Sequence, residues 1–132
     1  MENLGIYVHI PFCKKKCKYC DFLSGPASKE IQKAYVGKLL EEIEQWKDLL
    51  KNRKTETIFL GGGTPSAIDA EDIRGILEKI KAYGNVSEDA EISIEANPGT
   101  VTREKLQVWK SAGINRISFG LQSADNEELK CL

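Results

Sequence analysis

At 132 residues the chain is long enough for one domain with a real hydrophobic core and short for two. Lys and Arg number 19 against 20 Asp and Glu, a formal net charge of −1, which excludes a global electrostatic footprint for nucleic acid or anionic lipid. No segment approaches the roughly 20 apolar residues of a membrane span, and residues 1–5 do not open a secretory leader, so the expectation is a cytoplasmic protein.

In residues 4–10, Leu4, Ile6, Val8 and Ile10 alternate with Gly5, Tyr7 and His9, the period of a strand. Residues 31–50 place Ile31, Tyr35, Leu39, Ile43, Trp46 and Leu50 at helical spacing, with charges between them. Residues 57–60 are a short β-rich run that stops at Gly61, Gly62 and Gly63. Asp69 predicts the N-cap of a helix that carries Ile73, Ile76, Leu77 and Ile80 and closes near Gly84. Residues 91–96 form a third strand, with Ile92 and Ile94 opposing Ser93 and Glu95. Thr102 predicts the cap of a third helix, with Leu106 and Trp109 on its buried face and Gly113 past its end. Residues 116–119 form a fourth strand, in which Ile117 and Phe119 oppose Ser118.

Strand alternating with helix means parallel strands joined by right-handed crossovers. An open doubly wound sheet buries both faces and is apolar on both. Here each strand has one aliphatic face and one more polar face, which favours the wall of a barrel whose interior holds a ligand. The predicted fold class is α/β, an incomplete (β/α) barrel wall of about four parallel strands with outer helices. Four such units cannot close a barrel of the usual size, so residues 1–132 read as the N-terminal part of something larger, or as half of an assembly.

Cys13, Cys17 and Cys20 bring three thiolates into one short run after the first strand. In a reducing compartment such a cluster reads as metal-binding or catalytic and not as a disulfide framework. Three ligands are one fewer than a closed site needs, so the metal keeps an open position. Lys14, Lys15, Lys16 and Lys18 make the run basic, which favours thiolate or simply solvates a loop. The other unusual residues also follow strands, where functional groups gather in βα folds. The glycine run 61–63, continued by Thr64, Pro65 and Ser66, leaves backbone carbonyl and N–H groups open to a ligand's charged groups. It lacks the Lys-Ser/Thr ending of a P-loop and the spacing of a dinucleotide fingerprint. Glu95 suits a ligand ammonium or ribose hydroxyls, or a rim salt bridge. Gln122 offers a donor and an acceptor. His9 suits a metal ligand, a cluster hydrogen bond or a satisfied wall histidine. Tyr7 is expected in the core with its hydroxyl reaching the cavity, and Cys131 is isolated. With His9 as a fourth ligand the cysteines would instead make a closed, inert zinc site.

Taken together these residues resemble the radical S-adenosylmethionine (SAM) superfamily, whose hallmark is the motif Cys13, Cys17, Tyr19, Cys20. More narrowly, residues 7–13 (YVHIPFC), 61–66 (GGGTPS), 95–98 (EANP) and 115–123 (NRISFGLQS) resemble the oxygen-independent coproporphyrinogen III oxidase family. True oxidases of that family carry a further cysteine at the position of Phe22. Asp21-Phe22 is similar instead to its heme-chaperone branch. The resemblance implies a partial barrel and a [4Fe–4S] cluster held by Cys13, Cys17 and Cys20, with SAM on the fourth iron. It implies SAM contacts from Tyr7, Tyr19, Gly62, Gly63, Thr64, Glu95 and Gln122. It further implies porphyrin or heme as partner, heme in the full-length protein, an electron-donor protein and heme-acceptor proteins. In the oxidase branch the reaction is decarboxylation of propionates to vinyls.

Overall fold

The computed structural model describes residues 3–12 and 29–119. The first strand is β1 (Asn3–Ile10), and the helical stretch that follows is α1 (Lys29–Gln45) and α2 (Lys47–Asn52). Then come β2 (Lys54–Gly62), α3 (Ala70–Tyr83), β3 (Asn85–Ala96), α4 (Arg103–Ala112) and β4 (Arg116–Phe119). Single turns of 3-10 helix, Pro65–Ala67 and Pro98–Thr100, lead from β2 and β3 toward the next helix.

The four strands are all parallel and lie in the order β1-β2-β3-β4. A strictly sequential order with right-handed crossovers puts every helix on the same side of the sheet. A doubly wound sheet must reverse its order somewhere, and this one does not. The architecture is therefore the barrel wall expected from the polar alternation, and the sheet is not closed. Val8, Ile10, Ile58, Leu60, Ile92 and Ile94 pack beneath the helices. α3 is the central helix, with Ile73, Ile76, Leu77 and Ile80 essentially inaccessible to water. Burying such a side chain is worth about 1.5–3 kcal/mol, so this helix is the main anchor of the layer.

Several local expectations shift. The helix over 31–50 breaks at Trp46, and its buried face turns away from Ile31 and Trp46, both exposed, toward Val36 with Tyr35, Leu39, Leu40 and Ile43. In α4 the buried partner of Trp109 is Ala112, and Leu106 faces outward. Thr102 does cap α4, accepting the Lys105 N–H at 3.1 Å. Gly113 ends α4 at φ 108°, in the left-handed region, and the Lys81 ammonium donates to the last-turn carbonyl of Ala112 at 2.6 Å. Asp69 occupies the N-cap position of α3, but its side chain makes no capping hydrogen bond. Its carboxylate instead takes Lys29 at 2.5 Å and Lys33 at 3.1 Å, while Lys33 also reaches Asp72 at 2.8 Å. These pairs tie the start of α1 to the start of α3.

β3 begins six residues earlier than its apolar alternation suggests. Asn85 and Val86 pair with Lys54 and Thr55, and the register then skips to Thr57 opposite Glu91. The Asn115 side chain stabilises this edge by accepting the Ile92 N–H at 3.0 Å and donating to the Ala90 carbonyl at 2.8 Å. No helix among the described residues is long and apolar enough to cross a membrane.

Candidate SAM and cluster site

The open face of the sheet carries Tyr7 and His9 from β1, Phe59 and Gly61 from β2, and Ser93 and Glu95 from β3. The register sets Tyr7 beside Phe59 and Phe59 beside Ser93, with His9 beside Gly61 one step further on. Tyr7 is not a core residue. It is 57% exposed and lies stacked on Phe59, ring centroids 5.7 Å apart and 17° between planes. Its hydroxyl is 3.3 Å from His9 Nδ1. Partial burial, and after it the Glu95 carboxylate, raise the Tyr7 phenol above its ordinary value, so it is a protonated donor at neutral pH.

The glycine run is fitted to its own chain. A β-carbon on Gly61 would meet Glu95 Oε1 at 2.5 Å and the Phe59 ring at 2.6 Å. One on Gly63 would meet the Phe12 backbone at 2.8 Å. Gly62 sits at φ 116°, where side chains are strained. The N–H groups are also engaged: Gly62 donates to Glu95 Oε1 at 3.2 Å, Gly63 to the Ile10 carbonyl at 2.8 Å, and Thr64 to the Phe12 carbonyl at 2.6 Å. The expectation that these N–H groups stand open to a ligand does not hold: they are spent within the protein itself, and the Thr64 carbonyl likewise accepts the Ala67 N–H at 2.8 Å.

The same bonds hold Phe12, the last described residue before the cysteine run. Phe12, immediately before Cys13, is buried, with its backbone carbonyl held by Thr64 and its ring edge-on to Tyr35 at 5.3 Å. The Tyr35 hydroxyl donates to the His9 carbonyl at 2.5 Å. Burial first, and then the Glu42 carboxylate, raise the Tyr35 phenol. Lys29 is held by Asp69. Both flanks of residues 13–28 therefore attach to one stretch, 63–72.

A family model described as the radical SAM superfamily matches residues 7–132. The chain belongs to the radical SAM superfamily. Heme chaperone HemW of Escherichia coli (strain K12) is 42% identical over 133 residues, which cover 100% of this chain and 35% of that protein. Heme chaperone HemW of Haemophilus influenzae is likewise 42% identical over 137 residues, covering 100% of this chain and 36% of that one. Among solved structures, coproporphyrinogen III oxidase (HemN) from Escherichia coli, a radical SAM enzyme, superposes with a TM-score of 0.83 at 30% identity, over 96% of this chain and 29% of that chain. The chain spans about a third of the length of the curated relatives it matches.

Within this radical SAM wall, Gly62 is bonded to Glu95 and Tyr7 feels the Glu95 carboxylate, while Gly63 and Thr64 are bonded to Ile10 and Phe12. Cys13, Cys17, Cys20, Tyr19 and Gln122 lie outside the described residues. Among the described residues no lysine or arginine pairs with Glu95. Sequence reasoning missed Phe59, the stacking partner of Tyr7, and Tyr35, which holds the His9 carbonyl. Phe59 was findable, because it falls on the open-face parity between Thr57 and Gly61. Tyr35 carried no signal beyond a helical apolar position.

Proposed function

We propose that this protein is the cluster- and SAM-binding part of a heme-handling radical SAM protein of the chaperone type, with residues 1–132 forming the N-terminal part of its core domain. One observation carries the reading. The residue before Cys13 is bonded into the glycine run, and Glu95 is bonded into the same run from the other side. Three thiolates supplied by Cys13, Cys17 and Cys20 would hold a [4Fe–4S] cluster and leave one iron for SAM.

The residues present fit such a group. The rim offers the second oxygen of Glu95, an acceptor suited to an ammonium or to ribose hydroxyls. Tyr7 is a protonated donor with an exposed ring beside them. Gly62, Gly63 and Thr64 shape this acceptor rim, and Tyr19 and Gln122 would complete the contacts. When bound and reduced, the cluster supplies the electron that cleaves the sulfonium of SAM. The protein's own residues orient that ligand: Glu95 fixes its distance from the run, and the Tyr7–Phe59 stack gives it an apolar wall.

Two facts support the chaperone branch over the oxidase. Phe22 stands where the oxidase family has a further cysteine, and the HemW proteins are more similar in sequence than HemN. Coproporphyrinogen III oxidation is the second reading, favoured by the close superposition on HemN.

The test is anaerobic iron–sulfide reconstitution followed by EPR of the reduced protein with and without SAM, then titration with heme. A cluster signal that SAM changes, together with a Soret shift on heme addition, is expected. Iron loading with no SAM response would overturn the SAM site. Conversion of coproporphyrinogen III without heme binding would move the protein to the oxidase branch.

A further inference from the structure

Beside the glycine run lies a closed ring of hydrogen bonds that none of the contacts above uses. Ser66 is fully buried and Thr100 nearly so. The Asn97 N–H donates to Ser66 Oγ at 3.0 Å, and the Thr100 hydroxyl donates to the Asn97 carbonyl at 2.9 Å. Ser66 Oγ and Thr100 Oγ1 are themselves hydrogen-bonded. With the Thr100 proton committed to Asn97, the Ser66 hydroxyl must be the donor of that last bond. Each of the three donors is then used once and each acceptor is matched, so the ring has a single proton arrangement. The Lys105 ammonium holds the Ser66 carbonyl from outside at 2.5 Å.

The ring's position gives it a purpose. Ser66 lies four residues after Gly62, and Asn97 two residues after Glu95. The β2 and β3 loops are thus tied at two points, Gly62 to Glu95 and Ser66 to Asn97, around the rim described above. A lone 3.2 Å bond from an exposed glycine would let the carboxylate swing. The buried second tie fixes the end of β3 and with it the direction of the Glu95 side chain. Resting on the SAM reading above, we infer that Ser66 and Thr100 are positioning residues that set the Glu95 carboxylate for its ligand without touching that ligand.

The test is a SAM titration of the reduced, reconstituted protein, read by the SAM-dependent change in its EPR signal. Iron per protein molecule and the SAM-free signal are recorded alongside, well below the unfolding temperature. Ser66→Ala leaves the Asn97 N–H without its acceptor, and one unsatisfied buried group is equivalent to about a tenfold change in an equilibrium constant. The expected outcome is a midpoint about tenfold higher, with iron content and the SAM-free signal unchanged. Thr100→Val should shift the midpoint likewise, Thr100→Ser should restore it, and the Ser66→Ala/Thr100→Val pair should be no worse than the stronger single change. Midpoints equal to the parent's in Ser66→Ala and Thr100→Val would overturn the inference. Variants that fail to load iron would also overturn it, since the ring would then be holding the fold and not the carboxylate. If the parent shows no SAM response, the SAM reading fails first and this inference falls with it. A parent response with unshifted variants sinks this inference alone.

Discussion

Replacing Gly62 by alanine tests whether the glycine run is dictated by the protein's own packing. The residue sits at φ 116°, a conformation that costs an L-residue about 1–2 kcal/mol. The new β-carbon would also lie 2.8 Å from His9 Nδ1 and 2.8 Å from the Ile10 carbonyl oxygen. The imidazole can rotate away. The carbonyl cannot, because it accepts the Gly63 N–H at 2.8 Å and Ile10 is in register with Gly62 itself. Overpacking against fixed atoms costs about 1–3 kcal/mol, and the stiffer unfolded state returns about 0.4–1 kcal/mol. The net expectation is a loss of about 3 kcal/mol, a fall in the urea midpoint of about 1.5 M at an m-value of about 2 kcal/mol/M. Gly75→Ala is the matched control. It lies inside α3, where an added β-carbon meets nothing within 4 Å, and it should gain about 0.5–1 kcal/mol. Unfolding of Gly62→Ala at the parent midpoint would refute the packing argument.

Three further outcomes follow from the helical layer. Lys29, and next to it Lys33, hold the Asp69 carboxyl below the ordinary carboxylate range, so its contribution is present at neutral pH and is lost as pH falls through its folded value. The stability gap between parent and Asp69→Asn should therefore close below about pH 4, and a gap unchanged at pH 2 would sink the assignment. Lys33 runs the opposite way. Asp72, and after it Asp69, raise it, so its share is present below the ordinary lysine range and fades only as pH climbs above about 10. Trp109 is 1% exposed, and its indole N–H has no partner among the described residues. Trp109→Phe should thus cost about 1–2 kcal/mol in urea unfolding, against about 3–5 kcal/mol for Trp109→Ala. A Trp109→Phe cost of about 3 kcal/mol or more would mean that the indole nitrogen has a bonded partner beyond the described residues.

The strands and the sidedness of the sheet were legible because a period of two admits no other reading, and because Ser93 and Glu95 stand on the face that a doubly wound sheet would make apolar. Helix faces were harder. Apolar residues surround much of α1, so Ile31 and Trp46 fitted the period as well as Val36 and Leu40, and only the neighbour α3 decides which side is buried. The first half of β3, Asn85–Asp89, has no alternation to read; its start is extended because Lys54 and Thr55 of β2, distant in sequence, pair with Asn85 and Val86. Asp69 stands where a cap belongs, yet Lys29 and Lys33, some forty residues earlier, outcompete its own backbone for the carboxylate. At the site, the motif residues were visible as residues, but the sequence could not show that the N–H groups of the glycine run are already taken. That fact depends on Ile10, Phe12 and Glu95 meeting the run in space.

The anchoring of both flanks of residues 13–28 to the stretch 63–72 bears on how such a protein acquires iron. Bringing the ends of a flexible segment together has an entropic cost, and in small metallo-domains the metal itself must meet it, so that the apo forms unfold. Here Thr64 and Asp69 close the segment through Phe12 and Lys29, by contacts of the protein alone. On the cluster reading proposed above, a metal held by Cys13, Cys17 and Cys20 would meet less of that closure cost, because the contacts of Phe12 and Lys29 carry part of it.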